Sequence, residues 1–155
     1  MTDNFLGILL VEDDRQLSRA VSRQLRRYGF DVVAAPTAAM ARVLECRFRL
    51  GILDIDLGDE SGVDLARELL DCGRVERVIF FSASTDADEL AGAAAVGPVV
   101  AKHESVEALL PVLGALLPDD APRESGFVRH DAECTTAPNG ANEPHGWVAG
   151  PRRAG

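Results

Sequence analysis

Five apolar runs of strand length punctuate this chain, and each is followed by a segment with helical apolar spacing. The first run is Phe5 to Val11. Arg15 to Tyr28 follows, with Leu17, Ala20, Val21 and Leu25 on one helical face, and Gly29 stops it. Phe30 to Ala34 reads as a second strand. Thr37 to Phe48 reads as a second helix with Thr37 as its N-cap. Leu50 to Ile55 is the third strand. GDESG then turns the chain, Gly62 closes the turn, and Val63 to Leu70 is the third helix. Val75 to Phe81 is the fourth strand, and Ala87 to Ala95 a short, Ala-rich fourth helix. Val96 to Ala101 is the fifth strand, broken near its start by Gly97 and Pro98. Val106 to Leu117 is the last helix, with Ser105 or Glu104 near its start.

Runs such as GILLV and VIFF are apolar without alternation, the pattern of strands buried on both faces. A parallel sheet with helices on both sides satisfies that burial. The expected architecture is a doubly wound, flavodoxin-like α/β fold whose five parallel strands run in the order 2-1-3-4-5. Right-handed crossovers bring the C-terminal ends of the strands to one edge, where ligands bind in such sheets. The expected folded domain is 1–117. After Pro118 the sequence loses apolar period and becomes rich in Gly, Pro, Asn and charge, so 118–155 is expected to be a disordered or loosely attached tail. Phe127 and Trp147 are its candidate docking spots. No second folded domain, and so no DNA-binding domain, is expected.

The formal net charge of -9 makes the chain a poor general partner for nucleic acid or anionic lipid. A local basic patch stands against that trend in Arg15, Arg19, Arg23, Arg26 and Arg27, and a solvated helix face is its plainest reading. Cys46, Cys72 and Cys134 fit no zinc or redox spacing, and free thiols in a reducing compartment are expected. No run is long enough to span a membrane, and MTDNFLGILLVEDD lacks the basic start of a signal peptide. A cytoplasmic location is the default expectation.

Polar residues gather where the strands end. Strand one runs into Glu12, Asp13 and Asp14, strand three into Asp54, strand four into Ser82 and strand five into Lys102. Crowded carboxylates repel unless a cation joins them. Oxygen donors without Cys or His clusters suit Mg²⁺. Asp13 is a candidate metal ligand, Glu12 a ligand through water, and Asp14 either a further ligand or the cap of the first helix. Asp54 lies in ILDIDL, where a carboxylate needs a partner. Lys102 is the only lysine among sixteen basic residues, a compact charge suited to phosphate. The hydroxyl of Ser82 can bond a phosphoryl oxygen or cap the following turn.

Taken in order, ILLVEDD, LDIDLGDESG, FFSAS and VVAK resemble the receiver domains of two-component response regulators, over about Leu6 to Leu117. The resemblance implies Mg²⁺ held by the side chains of Asp13 and Asp54 and the main-chain carbonyl of Asp56. It implies phosphorylation on Asp54, with Ser82 and Lys102 holding phosphoryl oxygens and Gly62 as the glycine of the following loop. The implied donor is a phosphohistidine on a sensor histidine kinase or histidine phosphotransferase. The implied output is a switched protein contact, with a downstream partner or a homodimer left open. Asp56 and Ser84 would flank the path of hydrolytic water. The chain departs from the family pattern at three positions: His103 follows the lysine in place of proline, Val99 replaces the switch aromatic, and Gly58 replaces the common proline after the acceptor motif.

Such a domain catalyses its own phosphorylation and dephosphorylation but turns over no external substrate. Two other classes share parts of the pattern. One is a receiver-like interaction module that phosphate does not switch. The other is an aspartyl-phosphate phosphatase of the haloacid-dehalogenase type, whose DxD usually lies on the first strand with a further acidic pair late in the chain. Here the acidic pair comes first.

Overall fold

The computed structural model describes residues 6–58 and 60–117. The tail assigned to 118–155, with Phe127 and Trp147, lies outside the described residues. Five strands, β1 (Leu6–Val11), β2 (Val32–Ala35), β3 (Phe48–Leu53), β4 (Val75–Ser82) and β5 (Val99–Ala101), form one parallel sheet in the order β2-β1-β3-β4-β5. The helices are α1 (Arg15–Arg27), α2 (Ala38–Val43), α3 (Gly62–Asp71), α4 (Ala87–Ala94) and α5 (Leu109–Leu116), the last entered through a 3₁₀ turn over Val106–Ala108. Among the described residues no helix is long and apolar enough to cross a membrane.

Alternate side chains of the strands feed two cores. Ile8, Leu10, Ile52, Ile79 and Phe81 pack with Val21 and Leu25 of α1 and Leu109 and Leu113 of α5. Leu9, Val11, Leu53 and Phe80 pack on the other face with Ala38 and Ala41 of α2, Leu65, Ala66 and Leu69 of α3, and Ala93 of α4. Burial on both faces explains the unbroken apolar runs.

Local chemistry sets the ends of the elements. The Asp14 carboxylate accepts from the N–H groups of Gln16 and Leu17, so Asp14 caps α1. Gly29 ends that helix with φ at +92°. The Thr37 hydroxyl accepts from Met40 N–H at 3.1 Å as the cap of α2. That helix stops well before the expected Phe48, because Leu44 turns to extended angles and Phe48 opens β3, paired with Leu6 and Val75. β3 ends at Leu53, so Asp54 and Ile55 lie just past the strand. β5 is likewise shorter than expected. The Pro98 carbonyl still accepts from Phe80 N–H, and a Cβ on Gly97 would come within 2.4 Å of the Val78 carbonyl oxygen. Cys72 is a free thiol but Cys46 is disulfide-bonded, which departs from the expectation of free thiols throughout.

α1 carries an electrostatic cost. Arg15, Arg19, Arg23 and Arg27 follow one another at four-residue intervals and are all exposed. Each like-charge pair at that spacing destabilises a helix by about 0.2–0.5 kcal/mol. The first turn holds no acidic residue and begins with Arg15, the wrong sign for the positive end of the helix dipole. The Asp14 carboxylate at the start, Arg26 and Arg27 in the last turn, and the buried face of Val21 and Leu25 offset these terms.

Gly62 lies tightest against the chain. Its N–H donates to the Ile55 carbonyl at 2.7 Å, and a Cβ there would sit 1.7 Å from the Asp54 carbonyl oxygen. Gly62→Ala is expected to cost about 3 kcal/mol or more, through backbone displacement beside Asp54. Gly92→Ala in α4, where a Cβ meets nothing within 4 Å, is expected to add about 0.5–1 kcal/mol. Urea unfolding of the two variants measures both, and equal effects would contradict this picture.

Candidate functional site

The sheet brings Glu12, Asp13, Asp54, Ser82 and Lys102 to one edge, as the strand ends require. Asp54 N–H donates to the Val11 carbonyl at 3.1 Å, which continues the β1–β3 ladder and sets the Asp54 side chain beside the acidic pair. Lys102 N–H donates to the Ser82 carbonyl at 2.9 Å, which does the same for β4 and β5. One carboxylate oxygen from each of Glu12, Asp13 and Asp54 lies within 4.8 Å of the others. Glu12 and Asp54 are buried and Asp13 is exposed.

Lys102 binds this group together. Its Nζ lies 2.5 Å from Asp54 Oδ2 and 2.8 Å from Glu12 Oε2. Burial pushes the Glu12 carboxyl above its ordinary range, even against the pull of Lys102. Burial alone would lower the Lys102 ammonium, but the hydrogen bonds it donates to Asp54 and Glu12, together with their negative charge, outweigh it and raise the pKa. The Lys102 shift is the usual sign for a cation gaining anionic partners, so its contribution to stability persists until pH climbs through the raised lysine pKa. The Glu12 shift has the opposite consequence. Its ionised form costs stability at neutral pH, and that cost fades as pH falls through the raised carboxyl pKa.

The turn after Asp54 presents a further oxygen. Asp56 bridges Ser61 in antiparallel fashion, and the bridge's hydrogen bonds belong to the flanking residues: Gly62 N–H to Ile55 and Leu57 N–H to Glu60. In such a pair the N–H and C=O of the central residue face away from the partner strand. Asp56 N–H accordingly donates to Asp54 Oδ1 at 3.3 Å. The carbonyl of Asp56 faces the same way. The Asp56 carboxylate accepts from Gly58 N–H at 2.9 Å, and Gly58 has φ at +80°. Proline, locked near −65°, cannot take that angle, so glycine at 58 follows from the turn. The donors available at this edge are all oxygens and mostly anionic, which suits a hard divalent cation such as Mg²⁺.

Ser82 and its neighbours form a hydrogen-bonded loop. The Ser82 hydroxyl accepts from Ser84 N–H at 3.1 Å. The Ser84 hydroxyl accepts from Asp86 N–H at 3.3 Å and donates to Glu89 Oε2 at 2.5 Å. Asp86 in turn caps α4 through the N–H groups of Asp88 and Glu89. After Lys102 the chain reverses in a turn closed by Glu104 N–H to the Ala101 carbonyl, with the Lys102–His103 peptide trans. Sequence reading missed Arg42, whose guanidinium on α2 joins Glu60 of the β3–α3 loop at 2.9 Å and Glu68 of α3 at 3.1 Å. No linear motif links these three positions.

Comparison with known proteins agrees with the geometry. The family model described as the response regulator receiver domain matches residues 8–112, and the chain belongs to that family. The chain is 35% identical over 132 residues to the two-component response regulator PhoP of Pseudomonas aeruginosa, covering 83% of this chain and 57% of that protein. It is 34% identical over 86 residues to the transcriptional regulatory protein CutR of Streptomyces coelicolor, covering 54% of this chain and 40% of that protein. The chain thus spans about half the length of these curated relatives. Among solved structures, a CheY-like receiver domain protein from Methanospirillum hungatei superposes with a TM-score of 0.66 at 21% identity, over 76% of this chain and 97% of that one. The Francisella response regulator 1452 receiver domain gives 0.65 at 18%, over 74% and 98%. A Burkholderia pseudomallei response regulator, solved with a phosphorylated aspartic acid, a calcium ion and citrate, gives 0.61 at 23%, over 74% and 68%. At these identities the structures bear on the fold.

Lys102→Met leaves the Glu12 and Asp54 carboxylates without their cation. In EDTA at neutral pH the variant is expected to lose about 1–3 kcal/mol, an ion pair partly screened by solvent. The loss should shrink as pH falls through the raised Glu12 carboxyl pKa and Glu12 takes a proton. A urea series run from neutral pH downward tests it, and a loss that grows on acidification would contradict the assignment.

Proposed function

We propose that this chain is a phosphoacceptor switch: Asp54 takes a phosphoryl group from a phosphohistidine donor in a Mg²⁺-dependent reaction, and the product alters a protein–protein contact. The observation that carries this reading is a buried Asp54 carboxylate bonded to Lys102 and gathered within 4.8 Å of Glu12 and Asp13. The phosphorylated aspartic acid and the calcium ion of the Burkholderia structure fit the same chemistry.

The side chains of Asp13 and Asp54 and the main-chain carbonyl of Asp56 would hold Mg²⁺, with Glu12 acting through water. The ion, when bound, offsets charge on the phosphoryl oxygens. Asp54 uses a carboxylate oxygen as nucleophile in line with the leaving imidazole. The P–N bond breaks, a P–O bond forms, and the imidazole nitrogen takes up a proton. Lys102 passes from the carboxylate to a phosphoryl oxygen as a compact charge-assisted donor. The Ser82 hydroxyl turns toward the phosphoryl group as donor and so leaves Ser84 N–H. Water later attacks phosphorus and returns the carboxylate, with Asp56 and Ser84 bordering its approach. The chain thereby catalyses its own phosphorylation and dephosphorylation. The donor would be a sensor histidine kinase or a histidine phosphotransferase, met in the cytoplasm.

Incubation with Mg²⁺ and acetyl phosphate, read by intact mass, is expected to add one phosphoryl group to the wild type and none to Asp54→Asn. Asp13→Asn is expected to weaken Mg²⁺ binding and slow uptake while keeping the acceptor. Borohydride reduction and peptide sequencing locate the label. A label on Asp13, Asp56 or Ser82, or a fully labelled Asp54→Asn protein, would overturn the assignment.

A further inference from the structure

We infer that Arg42 is a positioning residue for the divalent ion: it holds Glu60 from α2 and so fixes the turn that carries the Asp56 carbonyl. The inference rests on the phosphoacceptor reading above, which makes that carbonyl a ligand to Mg²⁺. Asp13 and Asp54 are drawn to a cation by charge. A neutral carbonyl is drawn far less, so its worth as a ligand depends on where the backbone puts it. The backbone here is a turn with a weak side. Its inner end is fixed by Gly62 N–H on the Ile55 carbonyl at 2.7 Å and by the Ser61 hydroxyl, which caps α3 through Asp64 N–H at 3.3 Å. Leu57 is buried in the core that α2 and α3 share. The outer side is different: Gly58 and Glu60 are exposed, and Gly58 brings the backbone freedom of glycine at φ +80°.

Arg42 grips that outer side. Its Nη1 lies 2.9 Å from both carboxylate oxygens of Glu60, and its Nε 3.1 Å from both oxygens of Glu68. The Glu60 carbonyl in turn accepts from Leu57 N–H at 3.1 Å, which closes the turn next to Asp56. A movement of Glu60 therefore passes to Leu57 through that bond, and to Asp56 through its bridge with Ser61. An isolated exposed ion pair holds little. Here Glu68, on α3, already orients the planar fork, so less side-chain freedom is lost when Glu60 joins it. The Glu60 arm is not needed to clamp α2 to α3. Ala38, Ala41, Leu65 and Ala66 already share one core, and Glu68 alone ties Arg42 to α3. What the Glu60 arm adds is a hold on the loop.

Charge and position predict opposite signs. Removing a cation near the site should tighten Mg²⁺ binding if Arg42 acts by charge, and weaken it if Arg42 acts through the turn. Mg²⁺ binding to the full chain is read by isothermal titration calorimetry, with no phosphodonor present. Kd is expected to rise by about threefold to tenfold in Arg42→Gln, less than the loss of a group bonded directly to a ligand brings. Arg42 is half-exposed, so the variant is expected to fold, and circular dichroism at the titration temperature checks it. In a Glu60→Gln background, Arg42→Gln should weaken binding no further, because the link is already broken. With phosphoramidate as donor, the Mg²⁺ concentration for half-maximal labelling of Asp54 should rise in parallel, while the rate at saturating Mg²⁺ stays the same. Binding by Arg42→Gln as tight as that of the wild type, or tighter, would overturn the inference. An undiminished Arg42→Gln effect in the Glu60→Gln background would do so too. A wild type that binds Mg²⁺ but takes no label would instead overturn the phosphoacceptor reading, and the calorimetry would still decide the role of Arg42. A wild type that binds no Mg²⁺ would overturn both.

Discussion

Everything at the working edge of this sheet depends on one ammonium group. Glu12 and Asp54 are buried, and two carboxylates brought together at that depth need a cation or a proton between them. Lys102 supplies the cation on the compact stem that reaches both at 2.5 and 2.8 Å. It can do so only because β5 pairs with β4 and ends beside Ser82, and because Asp54 follows β3 in register with Val11. The parallel ladder, the glycine at 62 and the turn over Asp56 to Ser61 are what hold the charges in place. The same arrangement leaves the edge rich in oxygen donors and short of positive charge, the condition for taking up a divalent ion and a phosphoryl group.

The architecture was legible because the strands are buried on both faces. Continuous apolar runs marked the strands, and helical spacing in α1 and α3 marked the helices, with caps at Thr37 and Gly29 in the right places. The site was legible for a related reason: a parallel sheet gathers strand ends, so charged residues at those ends must meet. Boundaries were harder. Cys46 to Phe48 continues an apolar pattern from α2 into β3, and nothing local separates a helix end from a strand start there. At Gly97 and Pro98 the limit comes from contact with β4, a neighbour in space rather than in sequence. The Arg42 link to Glu60 and Glu68 joins three elements and leaves no periodic trace. Gly58 was legible as the start of the GDESG turn, and its positive φ accounts for the absence of proline there.

Two of the departures from the family pattern, Val99 and His103, lie in β5 and just after it, while Gly58 lies in the loop after β3. Val99 is half-buried in the β4–β5 ladder opposite Phe80, so this chain has no aromatic ring there to swing between two positions. What connects the Ser82 hydroxyl to the rest of the surface is instead the short chain of hydrogen bonds through Ser84 and Asp86 to the start of α4. That route is made of backbone donors and small side chains, and each bond in it can be exchanged for one to water.

α4 itself fully buries only Ala93, with Leu90 packed half-buried against the core. A helix held by so little buried surface costs less free energy to displace than one packed along its whole length. On the proposed chemistry, the bond that Ser82 would make to a charged phosphoryl oxygen is worth about 1.5–3 kcal/mol. About 1.4 kcal/mol already changes a population ratio tenfold. On that proposed chemistry the sparse packing of α4 would set the sensitivity of the domain: a single hydroxyl rotation would carry enough free energy to repopulate a whole helix, and a better-packed α4 would be deaf to it.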